Sequence, residues 1–215
     1  MIAQKSEQSS YSPEIRNAME LAWSQLQTVY ESGIICSERH MQCELFRILY
    51  NDNAFINQYE IFVEPRLSNT DCAKLNGKIP DIIITSRKER EIVAVMELKY
   101  VPHSYPQYEK DIEVLTNFYE LCNLRKNDTK TSFSLLTNPE TGEWKDDVLF
   151  PVALNLTLIY AVIGRFDSYV FEQKDSQPKI LGKELWKNEG FKYYIQLIGP
   201  IGEYPLKFNS LKKPL

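Results

Sequence analysis

Two acidic residues and a lysine accompany neighbouring apolar segments near the middle of the chain. Asp81 opens the run of residues 82–84, and Glu97 and Lys99 close the run that begins at Ile92. Paired carboxylates suit a hard divalent cation such as Mg²⁺. A metal ion with a lysine beside it can activate water and neutralise charge on a phosphate. These residue types therefore indicate metal-dependent cleavage of phosphodiester bonds.

The residues around this cluster predict two short strands joined by a hairpin. Residues 81–85 and 92–96 are rich in β-branched side chains, which favour strands. The intervening residues 86–91 are all polar, as a hairpin connection should be. If the two strands pair antiparallel, the start of the first lies beside the end of the second.

This pairing predicts a compact acidic cluster. Glu97 and Lys99 point to one face of their strand and Leu98 to the other, because side chains alternate along a strand. Asp81 then lies beside Glu97, with Lys99 at their flank. Two adjacent carboxylates repel each other, so a cation is expected between them. An ordinary hairpin with solvated terminal charges is the alternative that the sequence leaves open.

The motif formed by Pro80-Asp81 and Glu97-Leu98-Lys99 resembles the signature of the PD-(D/E)xK nuclease superfamily. The resemblance implies that Asp81 and Glu97 ligate Mg²⁺ and that the Leu98 carbonyl completes the protein ligands. It also implies that Lys99 positions or deprotonates the attacking water. Mn²⁺ is expected to substitute for Mg²⁺.

A helix before the strands is expected to add a third acidic residue to the catalytic set. Residues 36–50 have helical apolar spacing, with Ser37 as the expected N-cap. The resemblance leaves Glu38 and Glu44 as candidates. At about 100° per residue, Glu38 projects near the apolar face, whereas Glu44 lies almost a right angle away. Glu38 is therefore favoured, although its charge also suits a helix N-terminus without any metal.

Another helix is predicted after the hairpin, over residues 104–122. Its expected apolar stripe consists of Tyr108, Ile112, Leu115, Tyr119 and Cys122. Asp111 lies at the margin of this stripe, and it can pair with Lys99, pair with Lys110 or be solvated. Some members of the superfamily carry a glutamine and a tyrosine one turn apart on this helix. Here Gln107 is present, but Asp111 stands where that tyrosine would be.

The order of the predicted elements indicates an α/β fold, an α+β sandwich in which helices flank a mixed central sheet. A first helix is predicted over residues 13–30, with Ser12 as its cap and Pro13 at its first position. Apolar runs at 156–163 and 191–198 predict a central and a C-terminal strand.

One domain with three segments is expected. Residues 1–35 would form a helical segment that packs on the core, and residues 166–215 an extension with a further strand and a basic, aromatic stretch. The resemblance implies a restriction-endonuclease-like core over residues 36–165.

The composition is that of one globular domain. The chain has 215 residues, of which 43% are hydrophobic, enough for one well-buried core. No apolar stretch is long enough to span a bilayer, and residues 1–10 are too polar for a signal peptide. The four cysteines lack C-x-x-C spacing, so no zinc site is expected. We therefore expect a cytoplasmic protein with no membrane partner, and the resemblance implies a prokaryote or phage as its source.

The net charge of −4 argues against a stand-alone nucleic-acid binder, since affinity for phosphates comes largely from lysine and arginine. Metal ligands account for part of this charge, and positive charge can be local. Lysines and aromatic residues crowd the C-terminal segment: Lys183, Lys187, Lys192, Lys207, Lys212 and Lys213 with Trp186, Phe191, Tyr193 and Tyr194. This segment is either a DNA-facing surface or a solvated tail.

Together these features predict a Mg²⁺-dependent nuclease, with DNA as the expected substrate and restriction, defence, mobile elements or repair as its context. A homodimer would suit double-strand cutting, and a partner protein could supply target binding. An RNA-cleaving enzyme is left open. The rival from another class is a catalytically silent nuclease-like domain that binds nucleic acid or protein.

Overall fold

The computed structural model describes residues 11–68, 72–102, 109–124, 130–134, 148–164, 194–199 and 209–212. The helices in these ranges are α1 (Tyr11–Glu31), α2 (Glu38–Tyr50), α3 (Asn53–Ile56) and α4 (Glu109–Leu124), with a 3-10 helix at Ala73–Leu75. The strands are β1 (Tyr59–Val63), β2 (Arg66–Ser68), β3 (Ile82–Ser86), β4 (Ile92–Val101), β5 (Lys130–Ser134), β6 (Val148–Gly164), β7 (Tyr194–Gly199) and β8 (Asn209–Lys212).

A mixed sheet organises the described residues. Its core runs in the order β1-β3-β4-β6, with antiparallel pairing except between β4 and β6, which are parallel. The first part of β6 pairs with β5, and its later part is parallel to β7. β2 pairs with β5 and β8 with β7, both antiparallel. The predicted α/β class and the central position of β6 are therefore confirmed.

Each face of the sheet is covered by its own hydrophobic cluster. On one face α1 and α2 pack against the sheet, and Ile82 and Ile84 point into that cluster. On the other face α4 packs on the sheet, and Ile83 and Val95 point towards it. Because both faces are covered, β3 and the first part of β4 are buried at consecutive positions instead of alternating between apolar and polar residues.

The N-terminus of α2 is as predicted. The Ser37 hydroxyl accepts a hydrogen bond from the His40 N–H at 3.1 Å, which satisfies a helix-end donor. The predicted apolar side of the helix is buried, through Met41, Leu45, Ile48 and Leu49.

The predicted start of α1 is wrong. The helix already includes Tyr11, so Ser12 lies inside it and is not its cap. Proline is tolerated throughout a first turn, where its missing N–H would have no intrahelical partner, so Pro13 does not fix the starting residue. The helix ends at Glu31, and Gly33 follows with a φ of +74°, a conformation that glycine adopts without strain.

The apolar stripe predicted for the helix over residues 104–122 is only partly correct. In α4 the buried apolar residues are Val114, Leu115, Phe118 and Leu121. Ile112, Tyr119 and Cys122 are only partly buried at the margin of the cluster. The helix is rotated so that the large Phe118 ring enters the core, whereas Tyr119 stays near the edge, where its hydroxyl can reach water. Residues 104–108, with Gln107 and Tyr108, lie outside the described part of the chain.

The predicted boundaries of the hairpin strands also change. β3 begins at Ile82, one residue after Asp81, and β4 continues to Val101. The Glu97-Leu98-Lys99 motif therefore lies inside a strand and does not end it. The cause is β6, which pairs with β4 as far as Val101 and Gly164.

Several elements were not expected from the sequence, namely α3, β2, β5 and β8. The predicted C-terminal strand is observed over Tyr194–Gly199, and its expected first residues, 191–193, lie outside the described residues. Of the C-terminal basic and aromatic residues, Tyr194 lies in β7 and Lys212 in β8, and the others lie outside the described residues, so the role of this segment stays a prediction. The segment boundaries at residues 35 and 165 likewise stay predictions, although α1 shares a cluster with α2 and the sheet. Among the described helices, none combines the length and apolar character needed to cross a bilayer.

Candidate active site

The antiparallel register of the hairpin brings the two predicted metal ligands together. Ile82 pairs with Met96, so Asp81 and Glu97 occupy the next opposing positions. Asp81 Oδ2 accepts a hydrogen bond from the Leu98 N–H at 2.6 Å. This bond turns the carboxyl group of Asp81 towards β4 and against the carboxyl group of Glu97. The juxtaposition is the one that strand alternation predicts.

Helix α2 adds a residue that the sequence did not single out. Gln42 is 3% exposed, and its Nε2 donates to the Asp81 carbonyl oxygen at 3.0 Å. The same oxygen also accepts from the Glu64 N–H at 2.9 Å. The backbone of Asp81 is thus held from two directions. The one sequence signal for Gln42 is its position one helical turn after Glu38.

The structure places Glu38, and not Glu44, beside the cluster. Glu38 Oε2 accepts from the Tyr100 N–H at 3.1 Å and lies 4.0 Å from Lys99 Nζ. Glu44 instead pairs with Arg47 on its own helix at 2.7 Å. Glu38 therefore links α2 to the far end of β4, while its charge faces Lys99.

Lys99 lies between two carboxylates from different helices. Its Nζ is 3.4 Å from Asp111 Oδ2 on α4, the closer of the two. Of the three roles considered for Asp111, pairing with Lys99 is the one observed. Burial alone would lower the pKa of Lys99, but the charges of Asp111 and Glu38 outweigh it and the pKa lies above its ordinary value. Lys99 is thus held as an ammonium.

The two adjacent carboxyl groups are both easier to protonate than usual. The pKa of Asp81 is raised from 3.8 to about 6. Burial is the main cause and the charges of Glu38 and Asp111 also raise the pKa, whereas the Leu98 N–H and Lys99 lower it. Glu97 is 6% exposed. Burial, followed by the charges of Asp81 and Asp111, raises the pKa of Glu97 well above its ordinary value. Without a cation, a proton is therefore favoured on this pair.

Two carboxyl groups suit an ion such as Mg²⁺, which needs few protein ligands, better than a metal ion that is enclosed by protein ligands. Glu97 Oε1 is buried and accepts no hydrogen bond from the described residues, as expected of an oxygen that lacks its partner. Within the described ranges, no set of three or more His, Cys, Asp or Glu side chains is arranged to enclose a metal. Mg²⁺ does not need one, because it keeps several waters and usually binds through one or two carboxylates.

Leu98 and Gln107 are two further residues that the sequence singled out near the acidic pair. The Leu98 N–H binds Asp81, and the proposed use of the Leu98 carbonyl as a ligand stays a prediction. Gln107, which precedes α4, lies outside the described residues.

Comparisons with known proteins assign no family to this arrangement. Nothing matches the chain among protein-family models, curated proteins or solved structures. The function must therefore be argued from the site itself.

The raised carboxyl pKa values predict that the metal-free protein becomes less stable as the pH rises. Because the pKa of Asp81 is higher in the folded chain, protonation favours folding. This contribution is complete below pH 3.8 and is lost as the pH rises through about 6. From Asp81 it is about 3 kcal/mol of unfolding free energy. Urea unfolding in EDTA across this pH range measures it.

Asp81→Asn is the control for this titration. The asparagine can still accept from the Leu98 N–H but carries no charge, so the variant should exceed the wild type in stability at neutral pH. Its stability should also fall less between acid and neutral pH. Identical pH profiles for the two proteins would contradict the assignment of this pH-dependent loss of stability to the Asp81 carboxyl group.

The contact between Gln42 and Asp81 predicts that Gln42→Glu destabilises the protein. The variant replaces a buried donor with an acceptor of the same size that faces a carbonyl oxygen, at a cost of about 2 kcal/mol. Gln58→Glu is the matched control, since Gln58 also donates to a backbone carbonyl, that of Ala54, but at an exposed position. Chemical denaturation compares the two, and equal losses would show that the Gln42 contact is not special.

Proposed function

We propose that the protein is a Mg²⁺-dependent nuclease of the PD-(D/E)xK type that hydrolyses phosphodiester bonds, with DNA as its polymer. The observation that carries this proposal is the contact between the partly buried carboxyl group of Asp81 and the buried one of Glu97, with the Lys99 ammonium nearby. Two acids and a cation are an unfavourable cluster to bury without a reason. Metal-assisted cleavage of a phosphate ester supplies that reason.

Asp81 and Glu97 would hold the Mg²⁺ ion, with the Leu98 carbonyl as a third protein ligand. The ion would supply an acidified water and compensate negative charge on the phosphate. The protein holds the two carboxyl groups in place through the strand register and the Leu98 N–H, so little rearrangement is needed when a metal arrives. Gln42 supports the same arrangement by fixing the Asp81 backbone.

Lys99 is proposed to act as a positive charge and to position water, and its environment argues against a role as a base. An amine held between Asp111 and Glu38, with its pKa above the ordinary value, retains its proton at neutral pH. An ammonium in this place can hold the attacking water or a phosphate oxygen and offset charge that develops during the reaction. Asp111 and Glu38 act through Lys99 and are positioning residues.

The fold supports the proposal at the level of architecture. A mixed sheet covered by helices, with the acidic motif on an antiparallel hairpin and helices on both faces, is compatible with the restriction-endonuclease-like core that the motif implies. The match of the chain to that fold remains part of the proposal, as does a role in restriction, defence, mobile-element movement or repair.

The net charge of −4 is unfavourable for binding a polyanion such as nucleic acid. Phosphate affinity needs local positive charge. The C-terminal lysines, a second copy of the chain or a partner protein could supply it. A cleavage assay should therefore begin at low ionic strength, where weak phosphate contacts count most.

The proposed chemistry predicts that Lys99→Ala loses cleavage activity while the protein stays folded. Purified protein would be incubated with plasmid DNA, single-stranded DNA and RNA in Mg²⁺ or Mn²⁺, and in EDTA. We expect metal-dependent cutting that falls by about a hundredfold or more in the variant, since a charge aimed at the reacting phosphate is removed. The substrate that is cut identifies the polymer.

Lys110→Ala is the matched control, because Lys110 neighbours Asp111 on α4 but is exposed. It should cut like the wild type. Cleavage that survives Lys99→Ala or EDTA would overturn the assignment. If no polymer is cut although divalent cations bind, the rival interpretation of a catalytically silent binding subunit is favoured.

A further inference from the structure

A second concave site lies at the other end of the β3–β4 hairpin from the acidic pair. It is a pocket of about 390 Å³, within the size range of small-molecule sites. Four aromatic rings and two arginines dominate its walls: Phe46, Tyr50, Phe62, Phe150, Arg87 and Arg90. The two arginines belong to the hairpin turn, so the length of β3 separates this pocket from Asp81.

The rings present aromatic surface from both sides of the sheet edge. Phe46 and Tyr50 on α2 stack with centroids 5.5 Å apart. Phe62 on β1 meets Phe150 on β6 edge to face at 5.9 Å. Tyr50 is 56% exposed, although it is a large ring on a helix whose opposite face is buried. Phe150 is itself buried, so a flat ligand would cover the parts of Tyr50, Phe46 and Phe62 that still face water.

The two arginines have different roles in the pocket wall. Arg87 is occupied, because it pairs with Glu60 at 2.9 Å and also donates to the carbonyls of Ile56 and Tyr59. Arg90 lies over the Phe150 ring, with its guanidinium carbon 5.2 Å from the ring centroid. No carboxylate of the described residues forms an ion pair with Arg90. Among the described residues, Arg90 is therefore a pocket-lining cation without an ion-pair partner.

Arg90 occupies a position of the hairpin turn whose backbone conformation suits glycine better than arginine. Its φ is +56°, in the left-handed region that disfavours residues with a side chain. Hydrogen bonds from the Arg90 N–H to Ser86 and from the Ser86 N–H to Glu91 hold the turn in this shape. Glycine would suit this position better. An arginine in such a conformation at a pocket wall points to a use for its side chain.

We propose that this pocket binds a nucleotide, with the base against the aromatic rings and the phosphate on Arg90. Bases stack on aromatic side chains, and a guanidinium is well suited to a phosphate. An aromatic, anionic ligand would contact both the rings of the pocket and the Arg90 guanidinium. The nucleotide is either a free small molecule or one residue of a bound strand. Its binding does not depend on the metal site, which lies at the opposite end of the hairpin.

Arg90→Gly tests the proposal with little risk of unfolding the protein. The substitution removes the charge and relieves the backbone strain, so the melting temperature should stay equal or rise. Nucleoside monophosphates and a short oligothymidylate would be titrated by calorimetry in EDTA, which removes any contribution from metal. We expect the wild type to bind and the variant to bind at least about tenfold more weakly. Tyr50→Ala should also weaken binding.

Lys88→Ala is the matched control, because Lys88 is a cation of the same turn that does not line the pocket. It should bind like the wild type. Binding of monophosphates assigns the pocket to a free nucleotide, and binding of the oligonucleotide alone assigns it to a strand. Absence of both, or binding that Arg90→Gly leaves unchanged, overturns the proposal. Because no metal is present, neither result depends on whether the acidic pair supports cleavage.

Discussion

The repulsion between the partly buried carboxyl group of Asp81 and the buried one of Glu97 is the constraint on which the rest of the site depends. The antiparallel register of β3 and β4 leaves Asp81 and Glu97 side by side, and the Leu98 N–H holds Asp81 in that position. Burial then raises the pKa of both groups, that of Asp81 to about 6. The metal-free site therefore favours a proton, and a divalent cation would relieve the same repulsion more completely.

The two helical layers meet at this cluster and hold it from opposite faces of the sheet. From one face, α2 contributes Gln42 to the Asp81 carbonyl and Glu38 to the Tyr100 N–H. From the other face, α4 brings Asp111 to Lys99. Displacement of either helix would disturb the acidic pair or the ammonium. This coupling gives the hydrophobic clusters a functional consequence, since they fix the helices that position the charges.

Local patterns were sufficient for part of this site, and tertiary contacts decided the rest. Asp81 and Glu97 could be paired because strand alternation and a polar turn determine which residues face each other. Gln42 could not be identified, because its role depends on where α2 lies over β3. For the same reason the partner of Asp111 was left open. The length of β4 was also missed, since its last residues are set by distant β6.

Calorimetric titration of Mg²⁺ and Mn²⁺ into the wild type and into Asp81→Asn, at neutral pH and without nucleic acid, tests the central claim most directly. The account predicts that the wild type binds a divalent cation and releases protons, because the acidic pair is partly protonated beforehand. The variant should bind much more weakly. Equal affinity in the two proteins, or no binding to the wild type, would contradict a metal site at Asp81 and Glu97.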